Sequence, residues 1–299
     1  MPSFFSVWLR RQIKTVKPVL AKFDLETSRN VQDNLGRFLS RVISGKVEYL
    51  PVENWDEQKA VWIIPREDEM QGHVLYLHGG GYVSGSLNYA KMYGSVLAAA
   101  CGRKIFCLAY DLAPEHPFPA ALNDAVDAYK HMLKSGVSPS KIAVAGESAG
   151  GGLVFCLMHK LKREGLPMPA CLISISPWAD LTLSGASHSA NRRKDVALST
   201  PQLAEMAILY APGDLTNELV SPIFGSFAGF PPALIFAGGD EVLLDDAKAV
   251  KRCYDRAKIK ARLVVEKGMW HVYPLYRTTE AIAAVNMMTE FLSEHLCNE

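Results

Sequence analysis

Eight short apolar runs, rich in β-branched residues and bounded by turn signals, constrain this 299-residue chain more than any other feature. They fall at 47–52, 60–64, 73–77, 104–109, 141–145, 170–176, 234–237 and 261–266. Runs this short and this continuously apolar are the pattern of strands buried on both faces. Apolar residues at helical spacing lie between or after them, at 120–135, 246–257 and 278–296. The alternation predicts an α/β fold with a mostly parallel sheet covered on both sides. Functional loops of such a sheet are expected past the carboxyl ends of its strands. Two stretches break the alternation. Residues 1–45 read as two helices, with Phe4, Phe5, Trp8, Leu9 and Ile13 making one end unusually apolar. Residues 183–214 hold polar turns and then a helix at 201–210. Both are candidate cap segments over the strand ends; simple packing of helices on the sheet is the plainer alternative. The absence of repeats, low-complexity segments and long linkers favours one compact domain.

Composition narrows the function classes. Lys and Arg number 32 against 31 Asp and Glu, so the formal charge is +1. Such a balance gives no general attraction to nucleic acid or an acidic membrane, and no nucleic-acid partner is expected. The one notable local basic run is Arg10, Arg11, Lys14 and Lys17. No stretch reaches the roughly 18 apolar residues of a membrane-spanning helix. At the N-terminus the apolar residues precede the arginines, the reverse of a secretory signal. The six cysteines, Cys101, Cys107, Cys156, Cys171, Cys253 and Cys297, form no CxxC pair. They read as reduced structural thiols with no disulfide framework and no metal site, which places the chain in the cytoplasm.

The chemistry is concentrated at four strand ends. The run at 141–145 leads into Gly146-Glu147-Ser148-Ala149-Gly150 and then into a helix carrying Leu153, Phe155, Leu157 and Met158. G-x-S-x-G between a strand and a helix is a nucleophile elbow, in which Ser148 occupies a sharp turn and projects its hydroxyl from the sheet. The helix start adds free N–H groups and a positive dipole end. A second run ends at Leu77 and meets His78-Gly79-Gly80-Gly81. Three glycines there let backbone N–H groups approach a developing negative charge. A phosphate loop would need a Lys-Ser or Lys-Thr that is missing. His78 is read as a brace of this loop rather than a base. The third site is Asp240-Glu241 after the run at 234–237, and the fourth is His271 after the run at 261–266. Among the histidines only His271 both follows a strand and comes after an acid placed for it. Asp240 is taken as that acid because it lies nearest the strand end. Glu241, Asp245 and Asp246 compete, and are read as the start of a helix, where acids favour the dipole. The order Ser148, Asp240, His271 predicts a Ser-His-Asp relay.

With these sites in hand the chain resembles the hormone-sensitive-lipase-like family of α/β-hydrolase esterases over about residues 46–299. The resemblance rests on His78-Gly79-Gly80-Gly81, Gly146-Glu147-Ser148-Ala149-Gly150, Asp240-Glu241-Val242-Leu243 and His271. It rests equally on the stretch from Tyr110 to Ala121, on Ser176-Pro177-Trp178-Ala179-Asp180, and on Ser221-Pro222 with Pro231-Pro232. It implies an eight-stranded sheet whose second strand is antiparallel, with a cap from residues 1–45 and about 183–214 over a core of 46–299. It implies an oxyanion hole from the N–H groups of Gly80, Gly81 and Ala149, no metal or organic cofactor, and hydrolysis of short- to medium-chain carboxylic esters. Amide, lactone or deacetylase chemistry uses the same groups and stays open; a non-enzymatic receptor is disfavoured by the presence of His271. Edge pairing through the last strand makes a homodimer an expectation. Departures are Glu147, where Asp is common, and Tyr110-Asp111 in place of Tyr-Arg.

Overall fold

The computed structural model describes residues 2–20, 22–67 and 70–296; the expectation for the Cys297 thiol lies outside them. Eight strands form one sheet: β1 (Val47–Pro51), β2 (Ala60–Pro65), β3 (His73–Leu77), β4 (Lys104–Leu108), β5 (Ile142–Glu147), β6 (Cys171–Ile175), β7 (Ala233–Gly238) and β8 (Ala261–Glu266). Their order is β1-β2-β4-β3-β5-β6-β7-β8. Only β2 runs against its neighbours, pairing antiparallel with both β1 and β4. The remaining pairs are parallel. The chain is therefore an α/β hydrolase fold, as the resemblance implied.

The described helices are α1 (Phe4–Leu20), α2 (Leu25–Ile43), α3 (Leu87–Cys101), α4 (Ala120–Lys134), α5 (Ala149–Arg163), the short α6 (Ser187–Ala190), α7 (Thr200–Tyr210), α8 (Leu244–Ala257) and α9 (Thr279–His295). Strands β3 to β7 are buried nearly throughout because helices cover both faces. One core packs α4, α5 and α8 against residues such as Leu75, Phe106, Val144 and Ile235. The other packs α3 and α9 against Val74, Ile105, Ile173 and Phe236. Alternating residues of each strand thus feed opposite cores, as the strand period requires. The predicted run at 170–176 ends one residue early, because Ser176 turns to φ +49°. The five described cysteines are free and buried.

The parallel strands β3, β5 and β7 all deliver their carboxyl ends to one edge of the sheet. The loops carrying Gly79–Gly81, Ser148 and Glu241 start there, and the loop after β8 brings His271 to the same edge.

Candidate active site

Ser148 sits between β5 and α5 at φ +56° and ψ −121°, a conformation that side chains rarely adopt. Main-chain bonds hold it there. Its N–H donates to the Ile175 carbonyl at 2.9 Å, and its carbonyl accepts from Trp178 at 2.9 Å and Gly152 at 3.0 Å. The turn also needs Gly150, where any Cβ would collide with the carbonyl oxygens of Leu77 and His78. The strained serine is therefore fixed by the neighbouring strands rather than by its own preference.

The Ser148 hydroxyl lies 2.9 Å from Nε2 of His271. Nδ1 of His271 donates at 2.8 Å to Oε2 of Glu241, not to Asp240. The expectation for Asp240 is thereby corrected. After β7 the chain turns tightly: the Gly238 N–H donates to Oε1 of Glu241 at 3.0 Å, curling that side chain back under the histidine. Asp240 points the other way. Its carboxylate takes a 2.5 Å bond from Arg10 of α1 at the partly exposed rim. Proximity to the strand end was the wrong criterion, because the two adjacent side chains bond different parts of the fold, Asp240 to Arg10 and Glu241 to His271. Asp245 and Asp246 do stand in the first turn of α8. Glu241 is fully buried, which pushes its carboxyl above the usual range; the hydrogen bond and charge of His271 oppose that rise.

Several residues outside the turn and the histidine loop hold them in place. Asp195 accepts from the Val242 N–H through Oδ2 at 2.8 Å, and from the Ala197 and Leu198 N–H groups through Oδ1. Asn191 donates to the Glu241 carbonyl at 2.9 Å. Ser176 accepts from the Val272 N–H at 3.0 Å and so fixes the histidine loop. Arg10 joins the acid turn to the histidine loop by a further bond to the Gly268 carbonyl at 2.6 Å.

The glycine loop is braced from beneath. His78 is fully buried, stacks on Tyr110 at 4.2 Å and 8°, and donates from Nδ1 to the Gly79 carbonyl at 2.6 Å. Burial pushes its imidazole down to about 4, so the ring is neutral at pH 7. Glu147 accepts from the Gly79 N–H at 2.6 Å and from the Tyr76 hydroxyl at 2.5 Å. Burial pushes its carboxyl up to about 8. Among the described residues, no group accepts from the N–H of Gly80, Gly81 or Ala149. Gly80 and Gly81 take φ +111° and +64°, which only glycine adopts without strain in such a loop.

With its carboxyl raised to about 8, Glu147 holds a proton at neutrality that Oε2 shares with the Tyr76 oxygen. Glu147→Gln can present its NH₂ to that oxygen and its carbonyl to the Gly79 N–H, and should leave kcat/KM within about threefold. Glu147→Ala should lower it about a hundredfold through a loosened loop. The raised value also fixes a stability trend. The contribution of the protonated group is complete below the unfolded carboxyl value of about 4.3 and is lost as pH rises toward 8. Urea midpoints across that range should fall for the native chain and stay flatter for Glu147→Gln.

A cavity of about 170 Å³ opens on the serine, lined by Ser148, His271, Gly80 and Gly81 below and by Gln32, Leu198, Leu203 and Met206 above. A larger hollow of about 320 Å³, between β8 and α9, is lined by no serine, threonine or cysteine. His188 and Asp246 approach only to 3.9 Å, and neither side chain bonds a serine.

Residues 74–275 match the family described as the alpha/beta hydrolase fold. An acetyl-hydrolase of Streptomyces hygroscopicus is 38 % identical over 236 residues, covering 78 % of this chain and 79 % of the relative. An esterase of Acinetobacter venetianus is 33 % identical over 222 residues, covering 73 % of each. Among solved structures, a hormone-sensitive lipase from a metagenome library superposes with a TM-score of 0.86 at 32 % identity, covering 96 % of this chain and 98 % of that one. An esterase from the bacterial hormone-sensitive lipase family gives 0.85 at 32 % identity, with the same coverage.

Proposed function

The chain belongs to the hormone-sensitive-lipase-like family of α/β-hydrolase-fold esterases, a family of ester hydrolases, and from that premise we propose that Ser148, His271 and Glu241 form its catalytic relay. The observation that carries this reading is the unbroken line from the Ser148 hydroxyl through both imidazole nitrogens to the buried Glu241 carboxyl. Ser148 attacks the ester carbonyl while Nε2 of His271 takes its proton. Glu241 holds the tautomer that leaves Nε2 free to accept, and stabilises the imidazolium that forms. The N–H groups of Gly80, Gly81 and Ala149 receive the oxyanion, each worth about 3 kcal/mol in the transition state. His271 then returns the proton to the leaving alcohol. A water activated by the same nitrogen opens the acyl-enzyme. These steps call on no metal or organic cofactor.

We read the preferred substrate as a small ester with a short acyl group. The support is the size of the cavity, well under the roughly 300–1,000 Å³ of sites for drug-sized ligands. Residues 1–45 and about 183–214 serve as the cap over a core of 46–299. The support is that Gln32 from the first segment and Leu198, Leu203 and Met206 from the second form the roof. Met206→Ala should therefore raise kcat/KM for octanoyl esters relative to acetyl esters by about tenfold, since removing a side chain of that size frees room for several methylenes. An unchanged chain-length profile in p-nitrophenyl ester assays would count against this roof.

The exposed edge strand β8, with Val265 43 % exposed, supports a homodimer formed by edge pairing. Light scattering at high concentration should give twice the chain mass, and a charged substitution at Val265 should return the monomer.

A further inference from the structure

Helix α1 reverses the usual arrangement of a surface helix, in which apolar residues face inward. Its inner face is tied down largely by polar bonds. Ser6 is fully buried and donates to Glu280 at 2.6 Å, joined there by Ser3. Arg10 reaches Asp240 and the carbonyls of Gly268 and Lys194. Lys17 donates to the carbonyls of Asp195 and Leu198. Leu9 and Ile13 pack beneath, against the core.

The outer face carries the larger apolar groups. Phe4 is 91 % exposed, Trp8 49 % and Phe5 47 %, and the rings of Phe5 and Trp8 stack 5.6 Å apart. Val16 and Val19 continue the exposed apolar surface toward the other end. Contiguous exposed aromatic surface of this kind marks an interaction site. Charge indicates the partner. No acidic residue occurs before Asp24. Arg11 and Lys14 are exposed between the aromatic end and the valines. Beside α1, on the segment whose Lys194 carbonyl Arg10 grips, Arg192, Arg193 and Lys194 are also exposed. The near-zero net charge of the chain thus conceals a locally basic, aromatic face.

We propose that α1 docks this enzyme onto an anionic lipid surface. Phe4, Phe5 and Trp8 enter the boundary between headgroups and acyl chains, while Arg11 and Lys14 face lipid phosphates. A second copy of the chain is the rival occupant, but two such faces would bring like charges together. The helix rests on the segment that ends at Leu198, which lines the catalytic cavity, so docking sets the cap against the phase where apolar esters collect. The docking does not depend on which residues form the relay.

The test is co-sedimentation of the full chain with vesicles of phosphatidylcholine alone and with a quarter of it replaced by phosphatidylglycerol. The expected result is binding at least about tenfold tighter to the anionic vesicles, weakened by added salt, with a blue shift of emission that Trp8→Phe abolishes. Phe4→Ser with Trp8→Ser, and separately Arg11→Glu with Lys14→Glu, should each cut vesicle binding about tenfold or more. Hydrolysis of a soluble acetyl ester should stay within about twofold for both pairs, which also shows that they fold. Equal binding to both vesicle types, no binding to either, or variants that bind like the native chain would overturn the proposal. So would sedimentation velocity showing that Phe4→Ser with Trp8→Ser merely converts a dimer to a monomer.

Discussion

Replacing Glu241 by Gln should lower kcat/KM toward a short acyl ester by about 10³–10⁴-fold, while Asp240→Asn should cost less than about tenfold. The two acids are adjacent in sequence and both follow β7, so the contrast isolates geometry from composition. Gln at 241 can still fill the buried site and meet the Gly238 N–H. It cannot hold the proton of His271 on Nδ1, because an amide that presents its NH₂ there favours the opposite tautomer. It also removes the charge that stabilises the imidazolium. Asp240 touches neither His271 nor Ser148. Its carboxylate pairs with Arg10 where both side chains are one-fifth to one-quarter exposed, a setting in which an ion pair contributes modestly. Its removal should loosen α1 and the rim while leaving the relay intact.

Ser148→Ala should remove nearly all activity, about 10⁶-fold in kcat, without loss of fold. Alanine at a φ of +56° carries the same backbone strain that serine already bears, and the bonds to Ile175, Trp178 and Gly152 come from the main chain. Thermal unfolding should therefore stay close to that of the native chain, which separates a lost nucleophile from a collapsed elbow. A residual rate of about 10³-fold over water is expected, since the oxyanion donors and cavity remain. Retention of more than about one per cent of the native rate would require another nucleophile.

The strand–helix alternation, the sharp turn at Ser148 and the glycine loop at 79–81 were legible because each is encoded within a few residues. A β run ending in glycines and followed by a helix leaves the chain few ways to turn. His271 was legible for the same reason, as a loop residue after a strand. The carboxylate bonded to His271 was not, and the reading missed it by one residue. Which of two neighbouring carboxylates faces inward depends on the Gly238–Glu241 turn and on what waits on each side. Those partners are Gly238 and His271 within the fold, and Arg10 at a separation of 230 residues. The bracing by Asp195 and Asn191 was likewise hidden, since their partners lie 47 and 50 residues away and no local pattern links them. Glu147 could have been found from the sequence. A carboxylate beside Ser148 on a fully buried strand needs partners, and the glycine loop on the adjacent strand is the nearest source of an unpaired N–H. The apolar N-terminal residues were visible from the start. That Phe4, Phe5 and Trp8 face outward while Leu9 and Ile13 face the core was not, because helical spacing alone does not say which face the body of the protein covers.

The most direct test of the relay is the rate and position of covalent labelling by a small organophosphate ester, followed by intact mass and peptide mapping. One adduct per chain should form, on the peptide carrying Ser148. It should be absent in Ser148→Ala, slowed about 10³-fold in Glu241→Gln, and formed at close to the native rate in Asp240→Asn. An adduct on any other residue, or a Glu241→Gln chain labelled as fast as the native one while Asp240→Asn is slow, would contradict the account.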